Sequence, residues 1–215
     1  MTISVLLADD HDVVREGSQR ILEAAGMKVI GHALDVSSAW ALYQELKPNV
    51  LVMDMSMPGS AGVDGVVHIM QRDPKAKIVI FSIHENPLLV ERVLAAGALG
   101  YVTKGSELSE LITAVKSVYK GQSYVSSDLA QSLIHTRIAG PKNPVSILSE
   151  REFNIFCLVA EGLTTSDIAK SLFLAEKTVA NYVSQIKQKL EVKNTVEIVH
   201  LAIKNQLINL DNAEI

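Results

Sequence analysis

A single cysteine in 215 residues, Cys157, excludes an internal disulfide and any cysteine-cluster metal site. It lies in Phe156-Cys157-Leu158-Val159, a context that calls for a small buried hydrophobe rather than a nucleophile. Long apolar runs are also missing: stretches such as Val79-Ile80-Phe81 fall far short of the about 20 residues that cross a bilayer. Met1-Thr2-Ile3 carries no basic signal-peptide start, so a cytoplasmic protein without membrane association is expected. Nor is there an excess of positive charge. The formal net charge is −4, which argues against indiscriminate nucleic-acid binding by the whole molecule.

With 48% hydrophobic and 20% charged residues the composition is that of globular proteins, and the length suits two domains better than one. Charge is unevenly spread. Between positions 170 and 193, Lys170, Lys177, Lys187, Lys189 and Lys193 oppose only Glu176 and Glu191. A polyanion is expected to bind there.

Up to about position 120, short β-rich runs alternate with helix-length amphipathic stretches, the pattern of a parallel sheet covered on both faces. Strands are predicted near 3–8, 28–33, 49–54, 77–82 and 99–103, with helices near 12–25, 36–46, 62–72, 87–96 and 107–120. Five such units predict an α/β doubly wound, flavodoxin-like domain over 1–120. Residues 121–145 read as a linker: Gly140-Pro141-Lys142-Asn143-Pro144 is rich in breakers, and only Asp128 to Arg137 could form a short helix. From 146 to 215 no strand pattern appears. Four short helices fit, and capping-type starts stand at Ser149-Glu150-Arg151-Glu152, Thr164-Thr165-Ser166-Asp167 and Asn194-Thr195-Val196-Glu197.

The acids are placed suggestively. Asp54 closes the run Asn49-Val50-Leu51-Val52-Met53 just ahead of Met57-Pro58-Gly59, and Asp9 and Asp10 end the run from Ile3 to Ala8. Open α/β sheets bind ligands at the carboxyl ends of their strands. If these two strands are adjacent, three carboxylates converge, and their repulsion calls for a hard cation or a proton. Ser82 and Lys104 end two further strands on the same edge. A nucleophilic Asp, a metal and donors for phosphoryl oxygens are the parts of phosphoryl transfer to a carboxylate. Mg²⁺ is usually held by few carboxylates, so Asp10 and Asp54, with a main-chain carbonyl such as that of Ser56, could suffice. Each residue alone has a plainer explanation as a cap, a turn residue or a solvated charge.

Asp9-Asp10, Asp54 with Met57-Pro58-Gly59, Ser82 and Gly100-Tyr101-Val102-Thr103-Lys104 resemble, in order and spacing, the receiver domain of two-component response regulators. The resemblance implies that Asp54 accepts a phosphoryl group from a phosphohistidine on a sensor histidine kinase or phosphotransfer protein. It further implies that Asp9, Asp10 and Asp54 bind Mg²⁺, that Lys104 pairs with the phosphoryl group, that Ser82 moves to contact it, and that Tyr101 is an aromatic switch. Many receivers carry Pro after the Lys; here it is Gly105.

In the second half, Val179, Val183, Ile186 and Leu190 form one stripe of a helix that follows a helix and a short turn. Ala180, Asn181, Ser184, Gln185 and Gln188 share the other face, with Lys177, Lys187 and Lys189 at its flanks. Amides between lysines suit a helix in a major groove; an ordinary solvated face fits the composition nearly as well. Leu148-Ser149-Glu150-Arg151-Glu152, Ala160-Glu161-Gly162-Leu163, Ile168-Ala169 and Glu176-Lys177-Thr178-Val179 resemble the LuxR-type helix-turn-helix. A receiver fused to this module is the layout of the NarL/FixJ subfamily. That implies contacts to double-stranded promoter DNA from Lys177, Thr178, Ala180, Asn181, Ser184, Gln185 and Gln188. Two positions depart from the family: Ala180 stands where Lys is common, and Ala175 replaces a Ser that would cap the helix. The last helix offers Val196, Val199, Leu201, Ile203 and Leu207, either to its own core or to a second subunit. The subfamily implies a homodimer on phosphorylation.

The expected function is a phosphorylation-controlled transcription regulator, not an enzyme beyond self-phosphotransfer and slow autodephosphorylation. Asp54-Met55-Ser56 is also similar to aspartyl-phosphate phosphatases, but Ser56 lacks the second carboxylate they need. A phosphorylation-independent binding protein is opposed by the intact set of three acids, Ser82 and Lys104.

Overall fold

A computed structural model describes residues 2–57, 63–139, 144–172, 174–205 and 207–208, except for the side chains of 135–139 and 150. The breakers Pro58-Gly59 and Gly140 to Asn143 lie outside the described residues. The chain divides into two compact units, residues 1–133 and 134–215.

In the first unit strand and helix alternate: β1 (Ser4–Ala8), α1 (Asp12–Ala24), β2 (Lys28–Ala33), α2 (Val36–Leu46), β3 (Val50–Met53), α3 (Val63–Arg72), β4 (Ile78–Ser82), α4 (Pro87–Ala95), β5 (Gly100–Thr103), α5 (Leu108–Tyr119) and β6 (Tyr124–Val125). Every strand pairing is parallel, in the order β2-β1-β3-β4-β5-β6. Because side chains alternate across a strand, Val5, Leu7, Val50, Val52, Val79, Phe81 and Val102 meet Leu22 of α1 and Leu111, Ala114, Val115 and Val118 of α5. The intervening Leu6, Leu51, Met53, Ile78 and Ile80 are equally buried, and α2, α3 and α4 bury Ala39, Val66, Ile69, Leu89, Val90 and Val93. Burial on both faces explains why these strands read as continuous apolar runs.

Among the described residues the sheet has six strands where the sequence pattern predicts five. Two residues are too short to show a period, and β6 exists only because Gly100 and Tyr101 pair with Tyr124 and Val125. It falls within 121–145, the stretch that reads as linker, and is followed by α6 (Ser127–Ala139).

The second unit holds one 3₁₀ turn, Pro144–Ile147, then α7 (Glu150–Ala160), α8 (Thr165–Ser171), α9 (Glu176–Lys189) and α10 (Thr195–Lys204). Ser149 and Glu152 form a capping box on α7, Thr164 accepts from Asp167 N–H on α8, and Asn194 accepts from Glu197 N–H on α10. Helix α7 packs against α8, α9 and α10. Its Phe153 and Phe156, stacked with centroids 6.4 Å apart, share the buried set with Ile168, Val179, Ile186, Ile198 and Ala202. Among the described residues no helix is long and apolar enough to cross a membrane.

Candidate functional site

Chain order reverses at β1, which has β2 on one side and β3 on the other, and the crevice beyond β1 and β3 is where such sheets hold ligands. The backbone ladder runs one residue past each strand: Asp9 N–H donates to Ala33 O at 3.0 Å, Asp54 N–H to Ala8 O at 2.8 Å, and Lys104 N–H to Ser82 O at 2.8 Å. Asp9 continues the alternation of Leu7, and Asp54 that of Val52, so both carboxylates lie on the α1 face. Lys104 Nζ bridges them, 2.8 Å from Asp9 Oδ2 and 2.9 Å from Asp54 Oδ2. The pairing is shielded: the Asp54 side chain is 1% exposed and that of Lys104 10%.

His11, at the N-cap of α1, joins the cluster with Nδ1 3.2 Å from Asp9 Oδ1, 3.1 Å from Asp10 Oδ1 and 3.9 Å from Asp54 Oδ2. One ligand atom from each of Asp9, Asp10, His11 and Asp54 fits within 4.8 Å. Three carboxylates there face one ammonium and one imidazole. Hard oxygen donors in excess of local positive charge can hold a divalent cation, so the cluster fits a metal.

Ser82 and Tyr101 are fully buried. The Tyr101 hydroxyl donates to His84 O at 2.8 Å, and burial raises its pKa so that it stays a protonated donor. His84 N–H donates to Ser82 Oγ at 3.3 Å, while His84 Nε2 lies 3.4 Å from Ser56 Oγ. Burial lowers the imidazole pKa of His84; Asp54 opposes that shift and Lys104 adds to it. The sequence pattern did not single out His11, His84 or Arg15, whose Nη1 donates to Asp9 O at 2.7 Å. A signal existed: His11 directly follows the acid pair, Arg15 lies one helical turn later, and His84 stands two residues after Ser82.

On α9, Val179 and Ile186 are buried and Val183 and Leu190 partly so, as the predicted stripe requires. Ala180, Asn181, Ser184, Gln185, Gln188 and Lys177 are exposed, and Thr178 is partly exposed. Lys189, 45% exposed at the flank of that face, pairs its Nζ with the buried Glu152 carboxylate at 2.7 Å. Ala175 occupies the α9 N-cap with extended backbone and no side-chain hydrogen bond. On α10 the core face is Ile198 and Ala202, outside the predicted stripe, while Leu207 of that stripe is buried just beyond the helix end. Val196 is 62% exposed, and Val199, Leu201 and Ile203 are half-buried.

Residues 5–116 match the response regulator receiver domain, and residues 146–202 match the bacterial regulatory proteins of the luxR family. The chain belongs to the response regulators. This receiver plus LuxR-type regulator is 39% identical over 213 residues to response regulator UvrY of Escherichia coli strain K12, covering 97% of each chain. It is 35% identical over 210 residues to response regulator GacA of Pseudomonas aeruginosa, covering 96% of this chain and 98% of that one. Among solved structures, RcsB of Salmonella enterica serovar Typhimurium, bound to a promoter in the presence of a phosphomimetic, matches with a TM-score of 0.76 at 26% identity, over 94% of this chain and 98% of that one. Such regulators control transcription by phosphorylation and are not enzymes.

Proposed function

We propose that Asp54 is the phosphoacceptor of this response regulator, with domains at 1–120 and 146–215 joined by 121–145. One observation carries the assignment: Lys104 Nζ holds the deeply buried Asp54 carboxylate at 2.9 Å while also bridging Asp9. An ammonium so placed can follow negative charge onto a phosphoryl group attached to that carboxylate. Asp54 attacks the phosphorus of a phosphohistidine on a sensor kinase or phosphotransfer protein; the P–N bond breaks and the imidazole leaves with the electron pair. Asp9, Asp10 and Asp54, with the Ser56 carbonyl, would hold Mg²⁺, which would neutralise phosphoryl oxygens when bound. Ser82 donates to a remaining oxygen, and Tyr101, tied to the His84 carbonyl, couples that contact to the β4–α4 connection.

The consequence is a homodimer on double-stranded promoter DNA in the cytoplasm. Lys177 and Thr178 take phosphates at the start of α9, Asn181, Ser184, Gln185 and Gln188 meet base edges, and Ala180 offers a methyl. Incubation with acetyl phosphate and Mg²⁺, followed by intact mass, tests the site. Asp54→Asn is expected to lose all incorporation, and full labelling of that variant would overturn the assignment.

A further inference from the structure

Strand β6 is two residues long and stands at the edge of the sheet, held there by β5 alone. Its main-chain bonds run from Tyr124 N–H to Leu99 O at 2.9 Å and from Ser126 N–H to Tyr101 O at 3.2 Å. Tyr101 thus carries β6 on its main chain and the β4–α4 connection on its side chain, where the hydroxyl donates to His84 O. Helix α6 follows at once. Its first main-chain bond, Ala130 N–H to Ser126 O at 3.0 Å, puts Ser126 at the N-cap, and Leu129 of the first turn is buried. The first unit ends at Leu133, inside this helix, so α6 carries the chain from one unit into the other.

A Ser at an N-cap ordinarily turns its hydroxyl to a free N–H of the first helical turn. Ser126 is 2% exposed, yet its buried Oγ has no hydrogen-bond partner. Docking β6 therefore makes two main-chain bonds and takes one hydroxyl out of water unmet, effects of similar size and opposite sign. Apolar contacts of Tyr124 with the core, and the burial of Leu129, leave the docked form favoured by a narrow margin. We propose that β6 and the first turn of α6 form a releasable strap, docked on Tyr101 and kept near balance by the unmet Ser126 hydroxyl. The docked strap accompanies a buried Tyr101 tied to the His84 carbonyl, so phosphorylation that holds Tyr101 in that place also holds the strap. Undocking hydrates the Ser126 hydroxyl and frees the root of α6 from the sheet. The phosphorylation part of this inference rests on Asp54 being the phosphoacceptor; the balance at Ser126 does not.

Amide hydrogen exchange on the full chain reads the strap at the N–H groups of positions 124 and 126. Ser126→Ala deletes the unmet hydroxyl and keeps both main-chain bonds, so these amides should exchange about fivefold more slowly, the scale of one unsatisfied buried hydroxyl. Loss of a capping hydroxyl would have the opposite sign. Labelling wild type with acetyl phosphate and Mg²⁺ should slow the same two amides. Because docking belongs to the dimerising state, unphosphorylated Ser126→Ala should also self-associate severalfold more tightly than unphosphorylated wild type in sedimentation. Faster or unchanged exchange in Ser126→Ala overturns the strap. Slower exchange without a gain in association, or labelled wild type with unaltered exchange, overturns its regulatory role and leaves β6 a plain edge strand. Wild type that takes no label at Asp54 overturns the phosphoacceptor assignment instead, while Ser126→Ala still decides the strap.

Discussion

Lys104 is the residue on which the acidic crevice depends most. It sits between Asp9 and Asp54 at 2.8 and 2.9 Å, and both carboxylates are almost wholly buried. Removing one partner of a buried ion pair leaves an uncompensated charge, so Lys104→Gln is expected to destabilise the first unit by about 3 kcal/mol in metal-free buffer. A divalent cation held by Asp9, Asp10 and Asp54 would neutralise the same carboxylates as Lys104. Added Mg²⁺ should therefore raise the melting temperature of Lys104→Gln more than that of wild type, by preferential binding to the folded state. Thermal unfolding with and without Mg²⁺ checks this, and equal shifts in the two proteins would break the link between Lys104 and the metal cluster.

Helices α7 and α9 are joined through Glu152, which also closes the capping box of α7. Burial pushes the Glu152 carboxyl up, but hydrogen bonds from Lys189 and Ser149 outweigh it and hold the pKa below 4.5. A depressed carboxyl contributes stability in full above its unfolded-state pKa and loses it as pH falls through the lower folded-state value. Amide protection of α7 should accordingly fall on acidification below about pH 4.5 in wild type. Glu152→Gln should start less protected at neutral pH and lack that acid-dependent fall, read by hydrogen exchange.

The outer face of α9 carries a second expectation. Ala180 can offer thymine no more than a methyl contact, so base reading is expected to fall mainly to the exposed Asn181, with help from Ser184 or Gln185. Asn181→Ala should cost about 1–3 kcal/mol on a specific site and relax preference at one or two base pairs. Ala180→Lys should tighten binding to many sequences and steepen the salt dependence by about one unit. Titration of the phosphorylated protein on specific and random DNA separates base reading from phosphate binding; equal losses for Asn181→Ala on both would reduce Asn181 to a positioning role.

For the whole molecule, the proposed homodimer makes a prediction at the exposed Val196. Ile198 and Ala202 already fill the core face of α10, so Val196, 62% exposed, is the residue of that helix to test against a second subunit. Val196→Glu removes an apolar contact and sets like charges opposite each other across a two-fold axis. The phosphorylated variant is expected to elute as a monomer at concentrations where phosphorylated wild type is dimeric, with unchanged melting temperature. Sedimentation of the two phosphorylated proteins settles it, and a wild-type dimer constant for the variant would move the interface elsewhere.

Local chemistry determined much of this before any tertiary contact formed. Alternating runs, caps at Ser149, Thr164 and Asn194, and breakers after Met53 mark the elements, because side-chain period and backbone preference act over a few residues. Asp9, Asp10, Asp54, Ser82 and Lys104 were legible for the same reason, each being the residue at which an apolar run stops. Which of them touch was decided only by the sheet. Lys104 reaches Asp54 across 50 positions of sequence, and Lys189 reaches Glu152 across 37. Strand β6 likewise arises where two distant segments meet. No local pattern encodes them, since the energy of a buried charge or an unpaired donor depends on which neighbours the fold delivers.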